Sequence, residues 1–117
     1  MATLDRTRLA SLLDAEQAAY AQAHPRSRAL FGEADNLFGR VPMTWMNMWT
    51  GGVPLYLDHA RGNRITDVDG HTYIDFALGD TGAMAGHSPA PAVEAIVRRV
   101  QDEGGITAMM PTFDAAW

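Results

Sequence analysis

The residues Asp67-Val-Asp-Gly70 constrain this chain more than any other stretch. Asp-Gly between two strand-like runs is a strong hairpin signal, because glycine accepts the positive φ that a tight turn demands. Upstream, Leu55 and Leu57 flank Tyr56 in alternation, Arg61-Gly-Asn63 can turn the chain, and Ile65 leads into the Asp-Gly turn. Downstream, His71 to Phe76 alternates again, with Tyr73 and Ile74 at its centre. The pattern predicts three short antiparallel strands joined by tight turns. The segment that follows, Gly79-Asp-Thr-Gly-Ala-Met-Ala-Gly86, carries little side-chain bulk. Such a backbone can pass close to a ligand or to another chain.

Helices flank this hairpin region. Leu9, Leu12, Leu13, Glu16, Ala19, Tyr20 and Ala23 recur at three-and-four spacing, which predicts a helix from about Thr3 to Ala23. Thr3 or Asp5 can start it, and His24-Pro25 stops it. Its apolar stripe needs a neighbour. Ser27 is expected to cap a second helix over Arg28 to Asp35, weakened by Gly32. After His87, the run Ser88-Pro-Ala-Pro91 marks a third helix, with serine at the cap and proline in the first turn. Val93, Ile96, Val97 and Val100 form its expected buried stripe, and Gly104-Gly105 ends it. An extended segment from Ile106 to Thr112 and the start of a further helix at Phe113 are expected beyond. A chain ending on Trp117 with no polar tail is expected to be truncated or cleaved.

The middle fits neither period. Between Asn36 and Val53, Leu37, Phe38, Val41, Met43, Trp45, Met46, Met48 and Trp49 sit among glycines and a proline. Loops normally run over the surface and are polar. Burying one large apolar side chain is worth about 1.5–3 kcal/mol. The expectation is therefore that protein outside this chain, a twin subunit or a ligand covers the segment. The organisation is read as N-terminal helices over 1–36, an apolar loop over 37–53, and a lobe with a small sheet and a helix over 54–117.

The order of motifs resembles the N-terminal part of class III (subgroup II) aminotransferases, of the fold type I pyridoxal-phosphate family. The residues that carry the resemblance are Pro54-Leu55, Gly62, Asp67-Val-Asp-Gly70, Tyr73-Ile-Asp-Phe76, and Gly82 to His87 with Pro89. It extends from about Asn36 to Thr112. It implies an α+β N-terminal segment of a fold type I pyridoxal-phosphate-dependent transferase, made of two helices, an apolar loop, a small antiparallel sheet and a helix. It implies an enzyme that moves an amino group from an amine or amino acid to a keto acid, with pyridoxal 5'-phosphate as cofactor and a homodimer as the working form. One departure is decisive. All nine basic residues are arginines, so the chain has no lysine. The family holds its cofactor as a Schiff base on a lysine amine, which also shuttles the proton. This chain alone is therefore expected to be inactive. The remainder of the enzyme, or a second polypeptide, would hold the large cofactor-binding domain. The rivals are an aminomutase, racemase or decarboxylase of the same fold, and a non-catalytic assembly module.

By the same resemblance, Asp80 and Thr81 lie on the wall of the substrate pocket, where an aspartate would favour an amine or hydroxyl and disfavour a second carboxylate. The plainer reading of Asp80 is a turn former. Trp45 falls where some relatives have a carboxylate-binding arginine, and would line an apolar pocket or simply pack in a core. Arg40 is nearby and can supply the missing charge. Thr107, Ala108 and Met109 match the segment that reaches the other subunit's active site. Ala108 and Met109 would touch substrate, and Thr107 would approach the cofactor phosphate or the substrate, the plainer reading of Thr107 being a strand-edge threonine.

Other chemistries find little support. The Gly79–Gly86 segment lacks the Gly-Lys-Ser/Thr of a P-loop and the spacing of a dinucleotide fingerprint. Asp67 and Asp69 read as turn formers rather than paired catalytic carboxylates. His59, His71 and His87 lack metal-ligand spacing, and no serine–histidine–aspartate order recurs with a supporting motif. The absence of cysteine excludes disulfides and thiolate metal sites. A formal net charge of -5 without a basic cluster argues against nucleic acid. No signal peptide or run of about 20 apolar residues is visible, so no membrane partner and a cytoplasmic location are expected.

Overall fold

A computed structural model describes residues 4–48, 52–80 and 82–104. Thr81, Thr107, Ala108, Met109 and Trp49 lie outside them, as do the extended segment and the last helix expected after Gly105. The chain divides into two compact units, one of Met1–Ala60 with Arg64–Asp75, the other of Arg61–Asn63 with Phe76–Trp117.

In the first unit, helix α1 spans Arg6–Ala23. Asp5 starts it, its carboxylate accepting the backbone N–H of Arg8 at 3.0 Å. His24 ends it, its own N–H donating to the Tyr20 carbonyl at 3.1 Å. Helix α2 spans Pro25–Glu33, starting three residues earlier than the serine rule predicts. Pro25 sits in the first turn, where its missing N–H costs nothing and its fixed φ suits the helix. Ser27 is therefore not a cap. It lies inside the helix, fully buried, and its hydroxyl is used elsewhere. Two short helical turns follow, Phe38–Arg40 and Thr44–Asn47. They are tied together by the Asn47 side-chain amide donating to the Gly39 carbonyl at 2.9 Å.

Three strands then form a sheet in the order β1-β2-β3: β1 at Leu57–Arg61, β2 at Arg64–Asp67, β3 at Thr72–Ile74. β2 and β3 are antiparallel, with Ile65 opposite Tyr73 and Arg64 opposite Ile74. Gly62 (φ 57°) and Gly70 (φ 93°) make the two turns in the left-handed region that glycine reaches without strain. The α+β segment with its small antiparallel sheet is as the motifs predicted, although β1 begins at Leu57 rather than at Leu55.

In the second unit, Gly62 and His87 form a two-way backbone bridge, 3.0 and 2.7 Å long. A side chain at Gly86 would place its Cβ 3.3 Å from the Gly62 backbone, and Gly86 has φ 85°. Both facts explain a glycine there. Helix α3 spans Ala90–Arg98, continues as a wider turn over Arg99–Glu103, and stops at Gly104 (φ 64°). Its cap position is Pro89, with no side-chain cap bond. Ser88 has φ 52°, outside the extended geometry an N-cap serine uses.

The apolar stripes form as predicted but are not buried within the chain. Leu9, Leu12 and Leu13 on α1, Val93, Ile96 and Val97 on α3, and Val100 in the wider turn after it are all exposed. Among the described residues the buried apolar side chains are Val41, Pro54 and Ala83. No helix among those residues is long and apolar enough to cross a membrane.

Candidate functional site

The one buried polar constellation among the described residues lies in the first unit, where the α1–α2 junction meets the β2–β3 hairpin. Hairpin geometry brings Asp67, Asp69, His71 and Tyr73 to one place, and the helix junction delivers Tyr20, His24 and Ser27. Asp69 faces the start of α2. Its Oδ1 accepts the Arg26 N–H at 2.7 Å, and its Oδ2 accepts the Ser27 N–H at 3.0 Å and the Ser27 hydroxyl at 2.8 Å. Two orphan donors of a helix N-terminus are thus satisfied by an aspartate more than forty residues away. The Ser27 hydroxyl in turn accepts the Tyr56 N–H at 3.3 Å. The Arg26 guanidinium donates to the Val68 carbonyl, closing the strap.

Asp67 is only 4% exposed. Its Oδ1 accepts the His71 N–H at 2.8 Å. Its Oδ2 accepts the Tyr73 hydroxyl at 2.9 Å and lies 3.2 Å from His71 Nδ1. Burial alone would raise the Asp67 carboxyl, but the bonds from His71 and Tyr73 more than offset it and hold it below the ordinary aspartate value. The same balance of desolvation against hydrogen bonds, here from Arg26 and Ser27, depresses Asp69. Burial, then the hydrogen bond and negative charge of Asp67, push the Tyr73 phenol up to about 12. Tyr20 is raised for similar reasons, burial first and the charges of Asp67 and Asp69 after it. Its hydroxyl donates to the Val53 carbonyl at 2.9 Å.

His24 joins the two halves. A carbonyl can only accept, so the 2.8 Å contact of His24 Nδ1 with the Tyr20 carbonyl places a hydrogen on Nδ1. Nε2 faces the Tyr73 hydroxyl at 3.0 Å and Asp67 Oδ2 at 3.6 Å. The rings of Tyr20, His24 and His71 lie against one another, with centroids 4.3 and 4.9 Å apart. Beside the cluster, Leu55, Leu57, Ile65 and Tyr73 line a pocket of about 70 Å³. Pockets that hold drug-sized ligands measure about 300–1,000 Å³, so this one by itself is too small for such a ligand.

The residues expected at a substrate pocket are distributed differently. Trp45 stands in the second short turn of the first unit, 57% exposed, its indole N–H directed to Met43 Sδ at 3.3 Å. Arg40 is exposed, and its guanidinium donates to the Gly32 carbonyl at 3.3 Å. Asp80 belongs to the second unit. It is exposed, and its N–H donates to the Ala77 carbonyl at 3.0 Å. Leu78, Gly79 and Asp80 have φ values of 55°, 57° and 66°. Two successive non-glycine excursions around a glycine are strain of the kind that gathers at functional sites. His59 pairs with its neighbour Asp58 at 2.8 Å on the surface.

Sequence reasoning missed His24, Ser27 and the double role of the two aspartates. Asp67 and Asp69 do form the turn, as expected, but each also anchors a separate group of partners. One local signal was present: Tyr20 and His24 are four apart on a helix, the spacing at which side chains meet.

No protein-family model matches the chain. A solved glutamate-1-semialdehyde aminomutase from Pseudomonas aeruginosa PAO1 superposes with a TM-score of 0.85 at 40% identity, over 97% of this chain and 25% of that one. A lysine-to-alanine variant of the same protein, in complex with PMP, matches equally. A β-phenylalanine aminotransferase from Variovorax paradoxus superposes at 0.70 with 26% identity, over 86% of this chain and 23% of that one. A 3-aminobutyryl-CoA aminotransferase from Cloacimonas acidaminovorans is 32% identical over 85 residues, 68% of this chain and 20% of the relative. The chain thus spans a quarter or less of the proteins it is similar to.

Proposed function

We propose that this chain, which shares the class III aminotransferase-like fold of its relatives, is part of a pyridoxal-phosphate-dependent enzyme that moves an amino group from an amine or amino acid to a keto acid. The observation that carries the reading is the superposition of nearly the whole chain on one solved enzyme at 40% identity. In this reading the chain supplies part of the substrate-pocket wall and part of a homodimer contact in a cytoplasmic enzyme. The exposed apolar faces of α1, α3 and the loop at Phe38–Met48 support such a role, because they are surfaces fit to be covered.

The chain's own residues do not fit the cofactor's anchor. Its nine cations are arginines, and no side-chain amine is available for a Schiff base. Bound pyridoxal phosphate supplies an electron sink for the carbanion next to the amino group. The lysine must come from elsewhere in the polypeptide or from a partner. The roles left to this chain are binding and orientation. Trp45 offers an exposed indole face to an apolar substrate portion. Asp80, held in a strained turn, offers a carboxylate to an amine or hydroxyl. Thr81, Ala108 and Met109 complete the proposed wall, and Thr107 the phosphate contact.

A second reading, an aminomutase, is favoured by the 0.85 superposition itself, since that protein carries that name. Trp45 weighs against it, because tryptophan cannot pair with a substrate carboxylate. Labelled amino donor separates the two. Label in a second molecule means transamination, and label moved within one carbon skeleton means mutase chemistry. For the pocket roles, Trp45→Ala and Asp80→Asn in the complete enzyme should alter kcat/KM unequally across a panel of donors and leave cofactor absorbance intact. Equal loss for every donor together with loss of the absorbance band would refute them.

A further inference from the structure

We propose that His24 Nε2, Asp67 Oδ2 and His71 Nδ1 form a binding site for one divalent transition ion of the zinc class. The site goes beyond the amino-transfer reading and does not rest on it. Its donors are two imidazoles and a carboxylate, the set that suits zinc rather than magnesium or calcium, whose shells are built of oxygen. The three ligand atoms lie within 4.8 Å of one another, and Asp67 Oδ2 is 3.6 Å from His24 Nε2 and 3.2 Å from His71 Nδ1. A tetrahedral ion with bonds of about 2.0–2.1 Å needs ligands about 3.3 Å apart. Two of the three edges already meet that requirement. The third closes by rotation of the His71 ring, whose side chain is 44% exposed and can turn.

The hydrogen count argues the same way. Nδ1 of His24 carries its hydrogen toward the Tyr20 carbonyl, the arrangement by which ligand histidines are oriented and their other nitrogen is left with a lone pair. That lone pair and Asp67 Oδ2 face the same Tyr73 hydroxyl, at 3.0 and 2.9 Å. The Tyr73 hydroxyl has one hydrogen: given to Asp67 it leaves the His24 Nε2 lone pair open, and given to His24 it leaves Asp67 Oδ2 to His71 Nδ1 at 3.2 Å. A buried carboxylate on which two imidazole nitrogens converge suits a cation. Two species can be that cation, a second proton on His24 or a metal ion. The two imidazoles and the carboxylate at ligand spacing favour the metal. His71 provides the solvent-facing side through which an ion enters, and the Tyr73 oxygen or a water takes the fourth position.

The test is titration of metal-stripped protein with cobalt(II), then zinc(II), near neutral pH. One equivalent of cobalt should produce visible bands that zinc displaces, and zinc should raise the melting temperature. His71→Gln, at an exposed position, should weaken binding by at least ~10-fold, and His24→Gln should abolish the bands. Tyr73→Phe removes the competing hydrogen and keeps all three ligands, so it should retain the bands and the zinc-dependent rise in melting temperature. The proposal is overturned by absence of bands in both wild type and Tyr73→Phe, which leaves the proton as the occupant. It is equally overturned if the bands survive His71→Gln unchanged, since the ion would then sit on surface groups such as His59.

Discussion

Two regions of the first unit contrast sharply. At the α1–α2 junction, His24, Ser27 and Asp67 are buried, and every buried side-chain polar atom among the described residues has a partner. A few residues on, Phe38 is 88% exposed and Met48 81% exposed. The usual distribution puts large apolar side chains inside and ionisable ones outside unless they are paired. Here polar bonds close the local fold while greasy side chains face outward. The difference teaches what each region is for. The polar strap is self-sufficient, since each donor meets an acceptor from the same unit. The loop is not: Val41 is buried, but Phe38, Met43, Trp45 and Met48 stay exposed among the described residues.

The strongest way to break this contrast is to cut the strap. Asp67→Ala removes the acceptor for the His71 N–H, the His71 ring and the Tyr73 hydroxyl. The hydroxyl can still turn to His24, so the loss falls short of three full bonds. The expected cost is about 2–3 kcal/mol, read as a lower urea midpoint at unchanged slope. A cost under about 0.5 kcal/mol, the range of an ordinary surface change, would mean that the strap does not close the unit.

Alkaline titration probes the same strap without mutation. Tyr73 is raised to about 12 in the folded protein, against about 10 unfolded. A raised value means that its stabilisation is complete below pH 10 and fades as pH climbs from 10 to 12. Tyrosinate absorbance should therefore show Tyr73 as the last phenol to ionise in the native protein, after the also-raised Tyr20, and Tyr73→Phe should remove that last step. A native protein in which all phenols ionise together near pH 10 would contradict the burial of this group.

A smaller effect is expected at Ser27. Ser27→Ala deletes one hydroxyl that donates to Asp69 and accepts from Tyr56. The Arg26 and Ser27 backbone bonds to Asp69 survive it. A loss of about 1 kcal/mol follows, visible in the same urea midpoint. A neutral result would show that the backbone bonds alone hold α2 to the hairpin.

How far the sequence revealed all this depends on the range of each interaction. The bounds of α1 were legible because Asp5 and His24-Pro25 act within one turn. The hairpins were legible because Gly62 and Gly70 answer a local demand for positive φ. Ser27 was misread because its partner Asp69 lies 42 residues away, and Pro25 had already started the helix. His24 was read correctly as a helix stop, but its link to Tyr73 spans 49 residues and leaves no periodic trace. The stripe of α3 was predicted from spacing, yet spacing does not say what covers a stripe. Trp45 and Asp80 were marked by resemblance, and their exposure and backbone geometry became visible only in three dimensions.

The smallest effect is expected where the side chains are largest. Phe38→Ser and Met48→Ser delete apolar surface that already lies in water, so neither can lose much burial energy within this chain. The expected change is under about 0.5 kcal/mol in the chain by itself. The same substitutions in the complete enzyme should cost more, up to the roughly 1.5–3 kcal/mol of a buried large side chain, because the loop is proposed to be covered there. The informative quantity is the difference between the two measurements. Equal small effects in both settings would mean that the loop stays in solvent, and would remove the reason to treat it as a contact surface. A large loss in the chain alone would mean that Phe38 or Met48 is buried by its own unit, and the contrast with the strap would disappear.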